Sequence, residues 1–495
     1  MTALKLFRHS PKRKLLSLTF RVQRIVSAVS LCAALTQASP AQQSEHPTAD
    51  LLSELIRLDT SNPPGNEGKI AEFLAERLRP LGFDIHIVTT PETGKAHFIA
   101  RLKGDGSKRP VLLAAHADVV GVEREKWTVD PFAGVVREGY IYGRGAIDFK
   151  GGLAVFTRAV IRLARERLPL HRDVILLSEA DEESGRYNTT WLADSHWDLI
   201  DCEFALNEGG WIIKDDRGGV QYVSISTADK RSVPVIVTAT GSSTHSSMPT
   251  PDNPILTLAK ALTRLADIET PLELTSSTRE FLSTLARTSS PPLSDNLNTL
   301  LNGKDPKLIQ RADQEISQNP LLHALTRNTI APVMLKAGFR GNVIPGSAEA
   351  TINLRLIPGT DLDALISSIR RVIDDDRVNV SLALPNTPEG ARAAALLKQT
   401  ANLQPSPKNT SLYRALEQSA HSIWPERPVT TYLFQAGTDA IAWRSRGVPV
   451  YGVYPYPISA EDLRRMHGND ERVSIQSLEQ GTELIYKTLI QLESE

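Results

Sequence analysis

The chain has 495 residues, with 56 Lys plus Arg against 57 Asp plus Glu, so net charge excludes a protein drawn globally to nucleic acid or an anionic membrane. Hydrophobic residues at 41 % and charged residues at 23 % exclude a mainly disordered chain, and the length allows two domains. Only Cys32 and Cys202 are present. A chain that loses the first with a leader has no internal disulfide and relies on core burial.

Residues 1 to 24 carry seven basic side chains, Lys5 to Arg24, and no acid, and "IVSAVSLCAALTQ" follows as a short apolar stretch before the small residues of "ASPAQQ". That order predicts a secretory signal peptide over 1–41 and export to a periplasmic or secreted location. An amphipathic or disordered extension is the alternative. The apolar part is too short to span a bilayer comfortably, so no stable membrane span is expected. Cys32 follows the bulky Leu31, which argues against a lipid-modified cysteine, and Cys202 reads as a buried residue at a strand entry.

Beyond the leader, "TADLLSELIRL" has helical spacing with Thr48 or Asp50 as cap, and "EGKIAEFLAERLRPLG" predicts a second helix stopped by Gly82. The β-prone runs "FDIHIVTT", "HFIARLKG" and "PVLLAAHAD" precede a long helix, "GGLAVFTRAVIRLARERL", and the strand "RDVILLSEAD". Helices alternating with apolar strands predict an α/β fold: a three-layer domain around a mixed, largely parallel sheet. From about residue 229 the order becomes βαββαβ, which predicts an inserted ferredoxin-like α+β domain over 229–386. The Ser, Pro, Leu and Asn-rich segment 270–328, between its first helix and second strand, reads as extra helices or loops. From about 387 the loop-like "PNTPEG" and "LQPSPKNTS" lead into a helix, two strands and a closing helix. These read as the first domain resumed, giving one domain of 46–228 and 387–495.

The acidic stretch "LLSEADEESG" poses a chemical question, because Asp181, Glu182 and Glu183 adjoin an apolar strand and no basic residue follows until Arg186. Either it is an exposed loop or a bound metal supplies the missing charge. His116 and Asp118 end another strand, Asp148 sits in a glycine-flanked loop at a helix start, and Glu208 follows a further apolar run. Each has an ordinary account alone, as a core histidine, a cap or a turn carboxylate. Together His116, Asp148, Glu183 and Glu208 follow successive strands and can converge at one sheet edge. Imidazole with carboxylates suits Zn²⁺, Co²⁺ or Mn²⁺, a carboxylate can bridge two ions, and Asp118 can hold the far nitrogen of His116.

These stretches, with Trp127 to "DPFAG", "GRGAIDFKGG", "NEGG", "GSSTHSSMP", "GNVIPGSAEATINLRLIPG", "AGTDA" and "MHGNDERV", resemble in order the M20 family of dinuclear metallopeptidases. The resemblance implies two zinc ions per subunit, with His116 and Glu208 on one, Glu183 and His467 on the other, and Asp148 bridging. It implies Glu182 as general base, Asp118 as orienter of His116, and a cis peptide after Asp148. It also implies that the inserted domain is a lid and dimerisation domain whose His245 serves the partner subunit's oxyanion. Asn342, Arg355 and Gly437 fall at substrate positions, and Arg355 could hold a carboxylate by two parallel bonds. Glu at 208 is similar to the carboxypeptidase and deacylase branches. His97, His171, His196, His323 and His421 match no motif and read as structural or exposed.

The implied activity is hydrolysis of an amide next to a free carboxylate in short peptides, as a carboxypeptidase or dipeptidase. The same machinery would serve an N-acyl amino acid deacylase. A catalytically silent binding protein predicts loss of Glu182 or a ligand, and an aminopeptidase on a related sheet lacks the inserted domain; neither pattern is found here.

Overall fold

The computed structural model describes residues 45–494, so the expected signal peptide lies outside the described residues. An eight-stranded sheet runs in the spatial order Asp84–Thr89, Ala96–Leu102, Val174–Glu179, Val111–His116, Phe204–Lys214, Val450–Ile458, Val220–Asp229 and Val429–Phe434. Its centre is parallel: Val111–His116 pairs in parallel with both neighbours, and so does Val450–Ile458 with Phe204–Lys214. Antiparallel strands close the near edge.

Alternation along the strands explains the three layers. Val111, Leu113 and Ala115 enter one apolar core, whereas Leu112 and Ala114 enter another on the opposite face. The first core takes the helices Pro47–Arg57, Glu67–Leu78, Lys150–Glu166, Ser411–Ile423 and Ile475–Ser494; the second takes Leu192, Ala193 and Trp443. Cys202 is buried in that second core, as expected. Gly82 ends its helix at φ +86, in the left-handed region. The first helix begins at Pro47, so neither Thr48 nor Asp50 caps it.

A four-stranded antiparallel sheet, in the order Thr329–Ala337, Ser347–Leu356, Arg231–Thr240 and Val378–Leu382, forms the βαββαβ unit. Val233, Val235, Val237 and the alternate residues Ile352, Leu354 and Leu356 pack under the helices Pro254–Ala266 and Leu362–Ile373. The side chains between them, Ser232, Pro234 and Arg355, therefore face away from those helices.

The structure places one open segment and corrects another. Segment 270–328 forms four helices, Ser276–Thr288, Leu293–Asn302, Pro306–Ile316 and Pro320–Thr326. Their apolar side chains join the core of the large sheet: Phe281 meets Tyr222 and Tyr432 edge-on at 5.6 and 4.9 Å. The stretch read as loop after 387 contains a helix, Pro388–Gln399. Thr387 starts it by accepting the N–H of Gly390 at 3.3 Å, and Pro388 occupies the first turn, where its missing N–H does no harm.

Candidate metal centre

The strand ends deliver the predicted residues to one place. His116 terminates Val111–His116, Glu208 lies within Phe204–Lys214 next to it, and Glu182 and Glu183 follow Val174–Glu179 on the other side. Asp148 comes from the loop preceding the helix Lys150–Glu166, and the Asp148 to Phe149 peptide is cis. The second glycine of "FKGG" is required by packing, since a Cβ on Gly152 would sit 2.2 Å from the Phe149 ring.

Asp148 occupies the middle of the cluster. Its Oδ1 lies 3.0 Å from His116 Nε2 and its Oδ2 lies 3.0 Å from His467 Nε2. Glu208 Oε2 is 3.7 Å from His116 Nε2, and Glu183 Oε1 is 3.2 Å from His467 Nε2. His116, Glu182 and Glu208 form one group with ligand atoms all within 4.8 Å of one another, and His116, Asp148 and Glu183 form another. Each imidazole thus turns one nitrogen to the shared carboxylate and lies within reach of at least one further carboxylate.

The loops behind the cluster fix its geometry. Asp118 is fully buried; its Oδ1 accepts the N–H of Glu182 at 3.2 Å and its Oδ2 accepts the N–H of Glu183 at 3.0 Å. The far nitrogen of His116 lies 3.0 Å from the backbone carbonyl of Asp118 and 3.6 Å from its carboxylate, so the main chain makes the closer contact. Asp181 is fully buried. It takes Lys95 Nζ at 2.5 Å, Asn62 Nδ2 at 2.9 Å and the N–H of Tyr187 at 2.6 Å. Those partners outweigh the burial that would raise its pKa and hold it at about 2.

Three further groups were not apparent from the chain alone. Arg144 donates to Glu471 at 2.7 Å and to the carbonyl of Gly468 at 3.0 Å, while Glu471 accepts the N–H groups of Ile147 and Asp148 at 2.7 and 3.1 Å. This pair ties the Asp148 loop to the turn that presents His467. Tyr454, stacked on Trp211 at 4.0 Å, places its hydroxyl 2.8 Å from Glu208 and 3.1 Å from Asp148. Thr189 Oγ1 lies 2.9 Å from Glu179 and 2.8 Å from Asp439, a second buried carboxylate pair. Burial pushes Asp439 up to about 6 and Glu179 well above the usual carboxylate range.

The donor set fits divalent metal. Among the described residues no lysine or arginine forms an ion pair with Asp148, Glu182, Glu183 or Glu208, so protonated imidazoles are the cations closest to hand. Burial lowers the pKa of His116, yet Asp118, Asp148 and Glu208 outweigh it and raise the net value well above normal. Hydrogen bonds to Asp148 and Glu183 push His467 up to about 10. Burial, with Asp148 beside it, raises Glu208 to about 7. A cluster that demands positive charge this strongly, built from imidazole nitrogen and carboxylate oxygen, has the chemistry of a transition-metal site.

The cluster opens into a cleft of about 840 Å³ whose lining includes Glu182, Arg355 and Gly437. Arg355 is half-buried; burial lowers its pKa and Glu182 opposes that shift. His245 and Asn342 are not in this lining. They lie together on a two-stranded ribbon, where His245 pairs with Val343 and the N–H of Ser246 donates to the Asn342 carbonyl at 3.0 Å. His97 is buried between the Tyr187 carbonyl and the Ala180 N–H, a structural role as expected.

Comparison with known proteins agrees with this geometry. Residues 112–491 match the family model described as Peptidase family M20/M25/M40. The chain is 29% identical over 399 residues, 80% of its length and 76% of the relative's, to the human N-fatty-acyl-amino acid synthase/hydrolase PM20D1. It is 30% identical over 389 residues, 77% of its length and 71% of the relative's, to a probable carboxypeptidase S-like 2 of Dictyostelium discoideum. The fold is similar to that of the M20 family metallo-carboxypeptidase Sso-CP2 from Sulfolobus solfataricus, with TM-score 0.67 at 19% identity over 90% of this chain and 99% of that one. Motif order, converging ligands and these matches together place the chain in peptidase family M20/M25/M40, as a hydrolase.

Proposed function

We propose that the cleft hydrolyses an amide bond next to a free carboxylate, with Glu182 as general base. The observation that carries this is the sharing of Asp148 by His116 and His467 through opposite oxygens, with Glu182 beside them on the cleft wall. In this reading His116 and Glu208 would hold one ion and Glu183 and His467 the other, with Asp148 available to both; zinc suits the set, and cobalt or manganese would fit it. Divalent ions held there would supply the Lewis-acid charge that lowers the pKa of water and polarises a carbonyl. Glu182 takes a proton from the attacking water and delivers it to the departing nitrogen. Asp118 keeps that carboxylate in place through the N–H of Glu182, and Arg355 receives the substrate carboxylate by two parallel bonds. Gly437 lines the same cleft as Arg355, where a Cβ on it would lie 3.9 Å from Arg355 Nη1.

Both relatives named above support this class, one as a probable carboxypeptidase and one as an N-fatty-acyl-amino acid synthase/hydrolase. Glu182→Gln should lower kcat about 10²- to 10⁴-fold while metal content and circular dichroism stay as in the wild type. Full turnover in that variant would remove the assigned base.

His245 and Asn342 take part only if a second copy brings them to a cleft. The edge strand Thr329–Ala337 exposes Val333, Met334 and Leu335, and Phe339 beyond it is exposed as well. An apolar unpaired edge of this kind favours pairing with another chain, which supports a homodimer through the small sheet. A monomer by light scattering across micromolar concentrations would leave those two residues without this role. The leader-like N-terminus supports an exported enzyme.

A further inference from the structure

The helix Pro388–Gln399 presents an apolar face to the catalytic cleft. Ala393, Leu396 and Leu397 stand at the i, i+3, i+4 spacing of one helical stripe, and the C-cap Thr400 continues it at i+7. All four line the cleft that holds Glu182 and Glu183, and Leu384 and Leu403 extend the wall on either side of the helix. Leu384, Leu396 and Leu403 are half-buried and belong to none of the three apolar cores. Leu397 alone of the four leucines packs against the small-sheet core. The wall is held in position, because Arg231 hydrogen-bonds the Leu397 carbonyl and the N–H of Ala383 donates to the Pro234 carbonyl at 2.9 Å.

Leucines such as Leu384, Leu396 and Leu403 that face a cleft instead of a core gain full burial only when a ligand covers them. The amide and carboxylate of a substrate would occupy the polar part, between Glu182 and Arg355. A cleft of about 840 Å³ is near the upper end of small-molecule sites, about 300–1,000 Å³, and has room for a chain on this leucine wall in addition to the groups at the polar anchors.

Resting on the amide-hydrolysis reading above, we infer that the face of the helix Pro388–Gln399 binds an aliphatic chain carried by the substrate. The enzyme therefore favours amino acid amides bearing a long apolar chain over small polar dipeptides. Two positions on such a molecule can carry the chain, the acyl group or the amino acid side chain, and both present the same methylenes to the wall.

The test uses the full metal-loaded enzyme and two substrate series: N-acylglycines with acyl groups of two to fourteen carbons, and N-acetyl amino acids with straight side chains of one to eight carbons. Here kcat/KM should rise about three- to fourfold per added methylene in one series until the wall is filled. A rise in the first series assigns the chain to the acyl group, and a rise in the second assigns it to the side chain. Leu396→Asn and Leu403→Asn, checked for unchanged melting, should each reduce the ratio of long-chain to short-chain kcat/KM at least tenfold. Measurable hydrolysis with no dependence on chain length in either series overturns the inference and leaves the hydrolysis reading standing. Absence of turnover throughout, by a folded and metal-loaded enzyme, removes that reading and this inference with it.

Discussion

Lys95 sets its ammonium 2.5 Å from Asp181, and both side chains are buried, at 3 % and 0 % exposed. The positive charge that the acidic stretch lacks in sequence is thus supplied in part by a residue from the start of the strand Ala96–Leu102. Asn62 then joins Asp181 to Asp118, so the contact continues to the N–H groups of Glu182 and Glu183. Lys95→Met leaves a buried carboxylate without its cation and should cost about 3–5 kcal/mol in urea unfolding. Adding Asp181→Asn should recover most of that loss; no recovery would show that Lys95 acts on something other than Asp181.

His97 gives the fold a pH dependence of definite sign. Burial lowers its pKa to about 4 from the ordinary 6.5, so between those values the unfolded chain binds a proton that the folded chain does not. Stability is therefore complete above about pH 6.5 and falls as pH drops toward 4, by on the order of 3 kcal/mol for this residue. Unfolding free energies from pH 7.5 to 4.5 should decline less steeply in His97→Gln than in the wild type. Parallel declines would assign the acid sensitivity elsewhere.

Metal should stabilise the protein as well as activate it. Removing it with a chelator lowers the melting temperature, and adding zinc at about 100 times its Kd should restore roughly 2.7 kcal/mol. Calorimetry with and without dipicolinate checks this, and an unchanged melting temperature on chelation would count against a resident ion.

Tyr454→Phe keeps the stack on Trp211 and removes only the hydroxyl that reaches Glu208 and Asp148. Metal affinity or kcat should fall about 10- to 100-fold, the usual effect of losing a partner of a metal ligand. Competition with a chromophoric chelator measures the first.

Arg355→Ala should lower kcat/KM about 10²-fold for substrates with a free carboxylate, through loss of charge-assisted hydrogen bonds. Substrates with that carboxylate amidated should be poor for the wild type and no worse for the variant. Equal losses on both would place the carboxylate elsewhere.

What was legible in the chain was local. His116, Glu183 and Glu208 announce themselves because each carboxylate or imidazole lies within or close behind an apolar run, where only a partner or a metal makes burial tolerable. The alternation "VLLAAH" likewise gives a strand covered on both faces. Lys95, Arg144 and Tyr454 escaped notice because their partners Asp181, Glu471 and Asp148 lie 86, 327 and 306 positions away. No spacing rule reaches that far. The helix Pro388–Gln399 was missed for a different reason: proline and glycine at its start read as a turn, although Thr387 and Pro388 are good opening residues for a helix.

The helices between 276 and 326 leave the chain of the small sheet yet fill the interior of the large one, with Phe281 wedged between Tyr222 and Tyr432. The insertion therefore has no clean excision point. Cutting out 229–386 and rejoining the ends would strip those tyrosines of their cover, so a minimal catalytic fragment must retain these helices or replace their aromatic and leucine side chains.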